Sequence, residues 1–344
     1  VTIRKSALSR FYWQCFVLRE QDWHQRDLSQ LRMTLLRDDQ RSDTNADPLR
    51  RLDNWGEPIS TICPTGPAIL LDYRADVSVL WQAVLRERPA ILTTFPSLLA
   101  ALVQQSLADG RRPEGLREVR TVGEALSGDL QSICEALWRV RITNVYSAAE
   151  IGIIAFPCRE HGRMHVQSES VKLEILRPDR TPCGVGEEGD VVLTPLHNFA
   201  MPLIRYDIGD RAAFGPPCAC GRHLPVLSSI PGRARDMVTL PNGERRFPYY
   251  GHGEIMRITA IAQHQVAQTG PAQIDIRLVV RRPLTVAEEA DVIGIASRHF
   301  GAPFSVRIAY HPQLERGPGG KFAEFTNEYE AGGTTPPGQV SPLS

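Results

Sequence analysis

Four short polar signatures sit at the ends of apolar runs between Tyr146 and Asp236. They read Val145-Tyr146-Ser147-Ala148-Ala149-Glu150, Leu203-Ile204-Arg205-Tyr206-Asp207-Ile208-Gly209-Asp210, Cys218-Ala219-Cys220-Gly221 and Gly232-Arg233-Ala234-Arg235-Asp236. An apolar strand that delivers an aromatic ring and a carboxylate, followed by a second carboxylate and an arginine, supplies the groups a nucleotide needs. The ring can stack on a base, one acid can hold a divalent cation, another can accept from ribose hydroxyls, and arginine can meet phosphate. Taken singly, each signature reads equally well as a core tyrosine, a solvated acid or a surface ion pair. Their fixed order is what favours the chemical reading.

A second set of residues is metal-like. Cys158-Arg159-Glu160-His161 and Cys218-Ala219-Cys220 each offer soft ligands from a turn, and two such pairs close a tetrahedral zinc site with no open position, hence a structural one. The expected ligands are Cys158, His161, Cys218 and Cys220. His165 competes as the histidine, and the two-residue gap after Cys158 favours His161. Reduced buried thiols are the alternative. Cys15, Cys63, Cys134 and Cys183 are isolated, and no Ser-His-Asp or Cys-His nucleophilic set is recognisable.

The elements that must position these residues follow from periodicity. Residues 4–24 carry Phe11, Trp13, Phe16 and Val17 among charges, a helix whose role is packing, and residues 38–67 read as loops with at most short strands. From Asp76 the pattern alternates: a helix through Val84, a strand at 90–93, a helix after Pro96-Ser97, a strand at 119–122, a helix at 127–138 and a strand at 142–146. Such alternation predicts an α/β fold, a parallel sheet with helices on both faces and ligands beyond the carboxyl ends of its strands. From about residue 151 the period changes to a small β-rich subdomain, with strands at 151–156, 171–176, 190–193 and 203–206. Beyond Asp236, strand, helix and strand at 274–280, 286–298 and 305–310 form a smaller α+β C-terminal domain. The expected boundaries are 1–235, 236–331 and a disordered tail at 332–344.

Composition bounds the partners. In 344 residues, Lys+Arg and Asp+Glu both number 39, so no general attraction to nucleic acid or an anionic membrane is expected. No apolar run approaches the roughly twenty residues needed to cross a bilayer, and the polar-rich N-terminal stretch reads without a secretory h-region. Seven cysteines, an odd number, argue against a disulfide framework and for a reducing, cytoplasmic compartment.

In their order the signatures resemble the adenylate-forming superfamily of acyl-CoA synthetases, nonribosomal-peptide adenylation domains and luciferases. Within it the chain is most similar to the phenylacetate-CoA ligase family and its capsule-biosynthesis and coenzyme-F390-synthetase-like members, over residues 76–321. The resemblance implies that Gly123, Glu124 and Ala125 line the adenine, Tyr146 stacks on it, Glu150 carries Mg2+, Asp210 grips the ribose hydroxyls, Arg233 lies near ribose and phosphate, and Asp236 is the hinge to a lid domain. It also implies that Lys321, in Arg316-Gly317-Pro318-Gly319-Gly320-Lys321, enters the active site for adenylation. This loop is no Walker motif, because Glu315 and Phe322 occupy its required glycine and hydroxyl positions. Some members of the family carry a similar cysteine and histidine set.

The implied activity is ATP-dependent activation of a small carboxylic acid as acyl-AMP and its transfer to coenzyme A, with Phe95-Pro96-Ser97 and the Gly123 region shaping the acid site. A homodimer is compatible with it. Two departures stand out: Ser147 and Ala149 replace a glycine and a hydroxyl residue, and no Ser/Thr/Gly-rich phosphate loop precedes the sheet. Gly332-Gly333-Thr334-Thr335-Pro336 imitates that loop but follows the lid. Val1-Thr2-Ile3 resembles the segment after such a loop, so the chain is expected to be an N-terminally shortened piece with impaired adenylation. The alternatives are an adenylating enzyme with a non-CoA acceptor, a non-catalytic zinc-stabilised nucleotide-binding or interaction module and, third, a nucleic-acid zinc ribbon, against which the balanced charge counts.

Overall fold

A computed structural model describes residues 3–37, 49–233, 236–300, 304–316 and 322–331. Lys321, with 317–320 of its loop, Val1-Thr2 and the expected tail lie outside the described residues. The chain divides at residue 234/235 into two compact units.

The first unit begins with α1 (Ala7–His24), then β1 (Arg32–Leu36), β2 (Leu49–Leu52), α2 (Ile59–Ile62), β3 (Ala68–Asp72), α3 (Val77–Glu87), β4 (Ile91–Thr94), α4 (Pro96–Asp109), β5 (Glu118–Val122), α5 (Gly128–Trp138) and β6 (Arg141–Ala148). Six more strands follow: β7 (Gly152–Pro157), β8 (Met164–Val166), β9 (Val171–Leu176), β10 (Glu188–Pro195), β11 (Tyr206–Phe214) and β12 (Val226–Arg233). All twelve strands join one sheet in the order β2-β3-β1-β4-β5-β6-β7-β8-β12-β11-β10-β9. The stretch from β3 to β6 is parallel, and from β6 onward every pairing is antiparallel.

Local chemistry sets the helix ends. Asp76 accepts from the Ser78 N–H at 2.7 Å and caps α3, Pro96 occupies the first turn of α4 where its missing N–H costs nothing, and Ser127 accepts from the Leu130 N–H to start α5. Crossovers that all step the same way along a parallel sheet put α3, α4 and α5 on one face. There Trp81 stacks on Trp138, whose indole N–H donates to the Ser106 hydroxyl. Alternate residues of β5 meet α1 instead: Arg120 donates to Glu20, and Val122 packs with Phe16 and Val145.

Two strands go beyond the expected pattern, since β1 and β3 extend the parallel sheet ahead of Asp76. The strand expected at 203–206 starts where it was expected to end. Arg205 adopts a left-handed backbone (φ 49°) and its N–H donates to the Thr194 hydroxyl, so the ladder resumes only at Tyr206.

Beneath the sheet lies a charge cluster that periodicity does not reveal. Arg26, just beyond the end of α1, donates to Glu118 with Nε at 3.1 Å and Nη2 at 2.6 Å and meets Glu20 at 2.9 Å, while Arg120 and Arg141 complete the set. Partnering by the guanidinium groups more than offsets burial and holds the Glu20 carboxyl at about 2. Beside it, burial pushes the His24 imidazole down to about 4, and the neighbouring Arg26 charge adds to the effect.

The two groups act in the same direction. The unfolded chain takes up a proton on His24 below about pH 6.5 while the folded chain does not, so this histidine withdraws stability as pH falls from there toward 4, by up to about 3 kcal/mol. Glu20 contributes stability that is complete above its unfolded value and is lost as pH falls toward 2. Urea denaturation at pH 7.5, 6 and 5 should therefore show a slope that His24→Leu flattens. Identical slopes in the two proteins would refute this account.

The second unit contains β13 (Val238–Thr239), β14 (Arg245–Arg246), α6 (His252–Ile255), β15 (Ile261–Gly270), β16 (Gln273–Val280), α7 (Val286–Phe300), β17 (Ser305–Tyr310), β18 (Phe325–Asn327) and α8 (Glu328–Ala331). Its main sheet runs β17-β16-β15-β18, and Val292, Ala296 and Phe300 of α7 pack on Val266, Ile274, Ile276 and Leu278. The parallel β16 and β17 with α7 between them form the expected α+β unit.

Candidate functional site

Strand β6 changes partners at Tyr146. Through Val145 it pairs in parallel with β5, and from Tyr146 it pairs antiparallel with β7, with an irregularity between Tyr146 and Ser147. Tyr146 follows the carboxyl end of the parallel ladder, the side on which ligands sit in parallel α/β sheets. Gly123, Glu124 and Ala125 follow β5 at the same edge, and Gly123 takes φ 80°, a conformation that favours glycine.

The Tyr146 hydroxyl donates to Asp210 Oδ2 at 2.7 Å. Asp210 on β11 stands directly opposite Arg233 on β12, whose Nε lies 3.4 Å from Asp210 Oδ1. Four strand steps separate β6 from β11, about 19 Å in a flat sheet at roughly 4.8 Å per step, more than the two side chains can bridge. The antiparallel half must therefore curl so that β11 returns over β6. Its interior, built from Ile154, Val166, Ile175, Val191, Leu193 and Leu227, is the apolar core that holds the curl.

Burial and the adjacent Asp210 carboxylate push the Tyr146 phenol well above the usual tyrosine range, so it remains a donor. Tyr206, absent from the sequence-based set, joins the same group: burial raises its phenol, and the Glu150 charge adds to the rise. The signal for it was its place in the Leu203–Asp210 signature, four residues before Asp210. Tyr146, Asp210 and Arg233 are thus in direct contact, with Glu150 and Tyr206 beside them.

Other expected residues stand outside this contact. Glu124 turns to the start of α4, accepting from the Ser97 N–H at 2.8 Å and from the Ser97 hydroxyl at 3.0 Å. A carboxylate there satisfies an orphan N–H and interacts favourably with the positive end of the helix dipole. It links the Phe95-Pro96-Ser97 turn to the Gly123 loop. Ala125 is exposed, and Asp236 belongs to the second unit.

The cysteines converge as expected, with a different histidine. The Cys158, His165, Cys218 and Cys220 ligand atoms lie within 4.8 Å of one another. Cys158 Sγ is 3.8 Å from Cys218 Sγ, and Cys220 Sγ is 3.4 Å from His165 Nε2. A Zn–S bond of about 2.3 Å implies a tetrahedral S–S edge of about 3.8 Å, so the donor set fits zinc. His161 is the correction. The hairpin closed by Cys158 N–H to Arg163 O leaves His161 exposed at its tip, whereas His165 is buried on β8 opposite Val226, beside the loop that carries Cys218 and Cys220.

Among the described residues no helix is long and apolar enough to cross a membrane. No family model matches the sequence. The phenylacetate-coenzyme A ligase of Thermus thermophilus is 27% identical over 208 residues, covering 58% of this chain and 44% of that protein. The phenylacetate-coenzyme A ligase of Escherichia coli is 34% identical over 92 residues, covering 26% of this chain and 20% of that protein. The matched region thus spans less than half the length of these curated relatives. Among solved structures, 2-hydroxyisobutyryl-CoA ligase in its postadenylation state superposes with TM-score 0.71 at 16% identity, covering 96% of this chain and 74% of that one. An anthranilate CoA ligase in complex with anthranoyl-AMP gives TM-score 0.58 at 15% identity over 86% of this chain and 58% of that one. The chain has the fold of adenylate-forming acyl-CoA ligases and is a distant sequence homologue of phenylacetate-CoA ligases.

Proposed function

We propose that the chain carries the nucleotide site of an AMP-forming acid–thiol ligase acting on a small, aromatic carboxylic acid such as phenylacetate. The observation that carries the reading is the junction of Tyr146, Asp210 and Arg233, three residues from distant strand ends held within hydrogen-bonding or ionic reach. In this reading Tyr146 stacks on adenine beside Gly123 and Ala125, Asp210 accepts from the ribose hydroxyls, and Arg233 reaches toward ribose and phosphate. The half-buried Glu150 would hold Mg2+, which offsets phosphate charge. Lys321 would stabilise charge developing on the α-phosphate.

A substrate carboxylate oxygen attacks the α-phosphorus of ATP, and the bond to pyrophosphate breaks with its electron pair. The resulting acyl-AMP loses AMP when a thiolate, that of coenzyme A, adds to the acyl carbon. Asp236 would be the hinge on which the second unit turns between these steps. Cys158, His165, Cys218 and Cys220 hold a structural zinc in this proposal, since four ligands leave no site for water. One observation favours a second reading, a binding module without catalysis: the exposed Ala149 offers no hydroxyl to a phosphate.

Calorimetric titration with AMP tests the first claim. The chain should bind AMP, and Asp210→Ala should weaken binding at least tenfold, since a charged group's hydrogen bonds contribute about 1.5–3 kcal/mol. An unaltered dissociation constant in the variant would remove the basis of the proposal. Acid-dependent pyrophosphate release then separates ligase from binding module.

A further inference from the structure

The contact between Tyr146 and Asp210 does more than place a ring beside an acid. Tyr146 Oη sits on Asp210 Oδ2 at 2.7 Å, and Arg233 Nε lies 3.4 Å from Oδ1, so each carboxylate oxygen faces its own protein donor. An ionised carboxylate offers about four acceptor positions, two on each oxygen, and donors facing both oxygens fix its plane. A plane fixed in this way suits a ligand that presents two adjacent hydroxyls.

The two anchors are unequal. The Arg233 side chain is 42% exposed and its contact is long, so it holds Asp210 weakly; the Tyr146 phenol is short-bonded and largely sequestered, and it stays protonated. Tyr146 is also fixed from behind, because β6 changes from parallel to antiparallel pairing at this residue and its ring packs on the core of the curled sheet.

We infer that the Tyr146 hydroxyl is a positioning group that holds the Asp210 carboxylate in the orientation required by the vicinal diol of a ribonucleotide, so that this tyrosine sets ribose selectivity as well as base stacking. The inference rests on the nucleotide reading proposed above. It adds that selectivity for the sugar resides in an atom that does not touch the sugar. The stacking ring and the orienting oxygen are separable by one substitution.

Tyr146→Phe removes that oxygen and leaves the ring. Titrating wild type and variant with AMP and with 2′,3′-dideoxyadenosine monophosphate should show wild type preferring AMP. The variant should bind AMP about tenfold more weakly and the dideoxy nucleotide unchanged, so that the preference collapses. A variant that keeps the full preference overturns the inference and leaves the nucleotide reading standing. Equal wild-type affinity for both nucleotides also overturns it, whereas no wild-type binding of either defeats the proposed function as well. If melting shows Tyr146→Phe to be unfolded, Tyr146→Leu decides: loss of the ring weakens both nucleotides alike, so the preference itself must still collapse, and its survival there refutes the assignment.

Discussion

Replacing Arg26 with methionine should destabilise the first unit by about 3–5 kcal/mol and lower its melting temperature by on the order of 10 °C. The Arg26 side chain is 2% exposed, and the Glu20 and Glu118 side chains it joins are 1% and 4% exposed. Methionine fills much of the same volume but leaves two buried carboxylates with fewer partners. Glu20 would keep Arg120 and Glu118 would keep Arg141, yet both of these guanidinium groups reach solvent and cannot replace a donor that bridges the two acids. Arg26→Lys should fall between, since one ammonium cannot reproduce the fork that grips both Glu118 oxygens. Adding Glu118→Gln to Arg26→Met should recover part of the loss, because it neutralises one stranded charge. Thermal and urea unfolding of the four proteins measure these differences. A loss below 1 kcal/mol in Arg26→Met would show the cluster to be incidental to the docking of α1.

That cluster also shows where reading from the sequence stops. The helix over residues 4–24 was legible, but the apolar residues that suggested its packing face were a poor guide. Phe16 is buried, whereas Phe11 and Trp13 remain 59% and 42% exposed. Much of what α1 brings to the sheet is charge, and a charge buried by partnership looks the same in a sequence as one in water. Local signals did better wherever a single residue decides the backbone: Pro96 starts α4, Asp76 caps α3, and the strands at 171–176 and 305–310 appear with the expected bounds.

The contact between Tyr146 and Asp210 was legible for a different reason. Tyr146 and Asp210 are 64 residues apart and four strand steps apart, and no periodicity predicts that the sheet curls between them. The order of the motifs carried that information, through the family resemblance. Where the resemblance was least specific, the physical detail departed from it. Glu124 caps α4, since its loop reaches the orphan N–H of Ser97. Strand β11 starts late, because a left-handed arginine interrupts the apolar run that suggested a strand.

The histidine of the metal set is the sharpest instance and leads to the prediction with the largest expected effect. Spacing within a turn favoured His161; a hairpin, however, exposes its tip and buries its strands, and His165 sits on the strand. The purified chain should contain one zinc per molecule by elemental analysis. His165→Asn and Cys220→Ser should abolish it, while His161→Asn retains it.

Removing the metal should lower the melting temperature of the first unit by well over 10 °C. Structural zinc contributes roughly 10–16 kcal/mol in isolated fingers, and even half of that matches or exceeds the roughly 5 kcal/mol of the most severe core substitutions. The discount arises because the ligands are already partly ordered: His165 pairs with β12, and the core of the curled sheet holds β7, β8 and β12 together without help. Metal-free protein should therefore keep its parallel sheet and lose protection from amide hydrogen exchange first around residues 158–166 and 218–226. Melting and exchange that are the same with and without metal would mean that the three thiols are reduced core cysteines. The convergence of the β7–β8 turn with the β11–β12 loop would then have to be held by the apolar core alone.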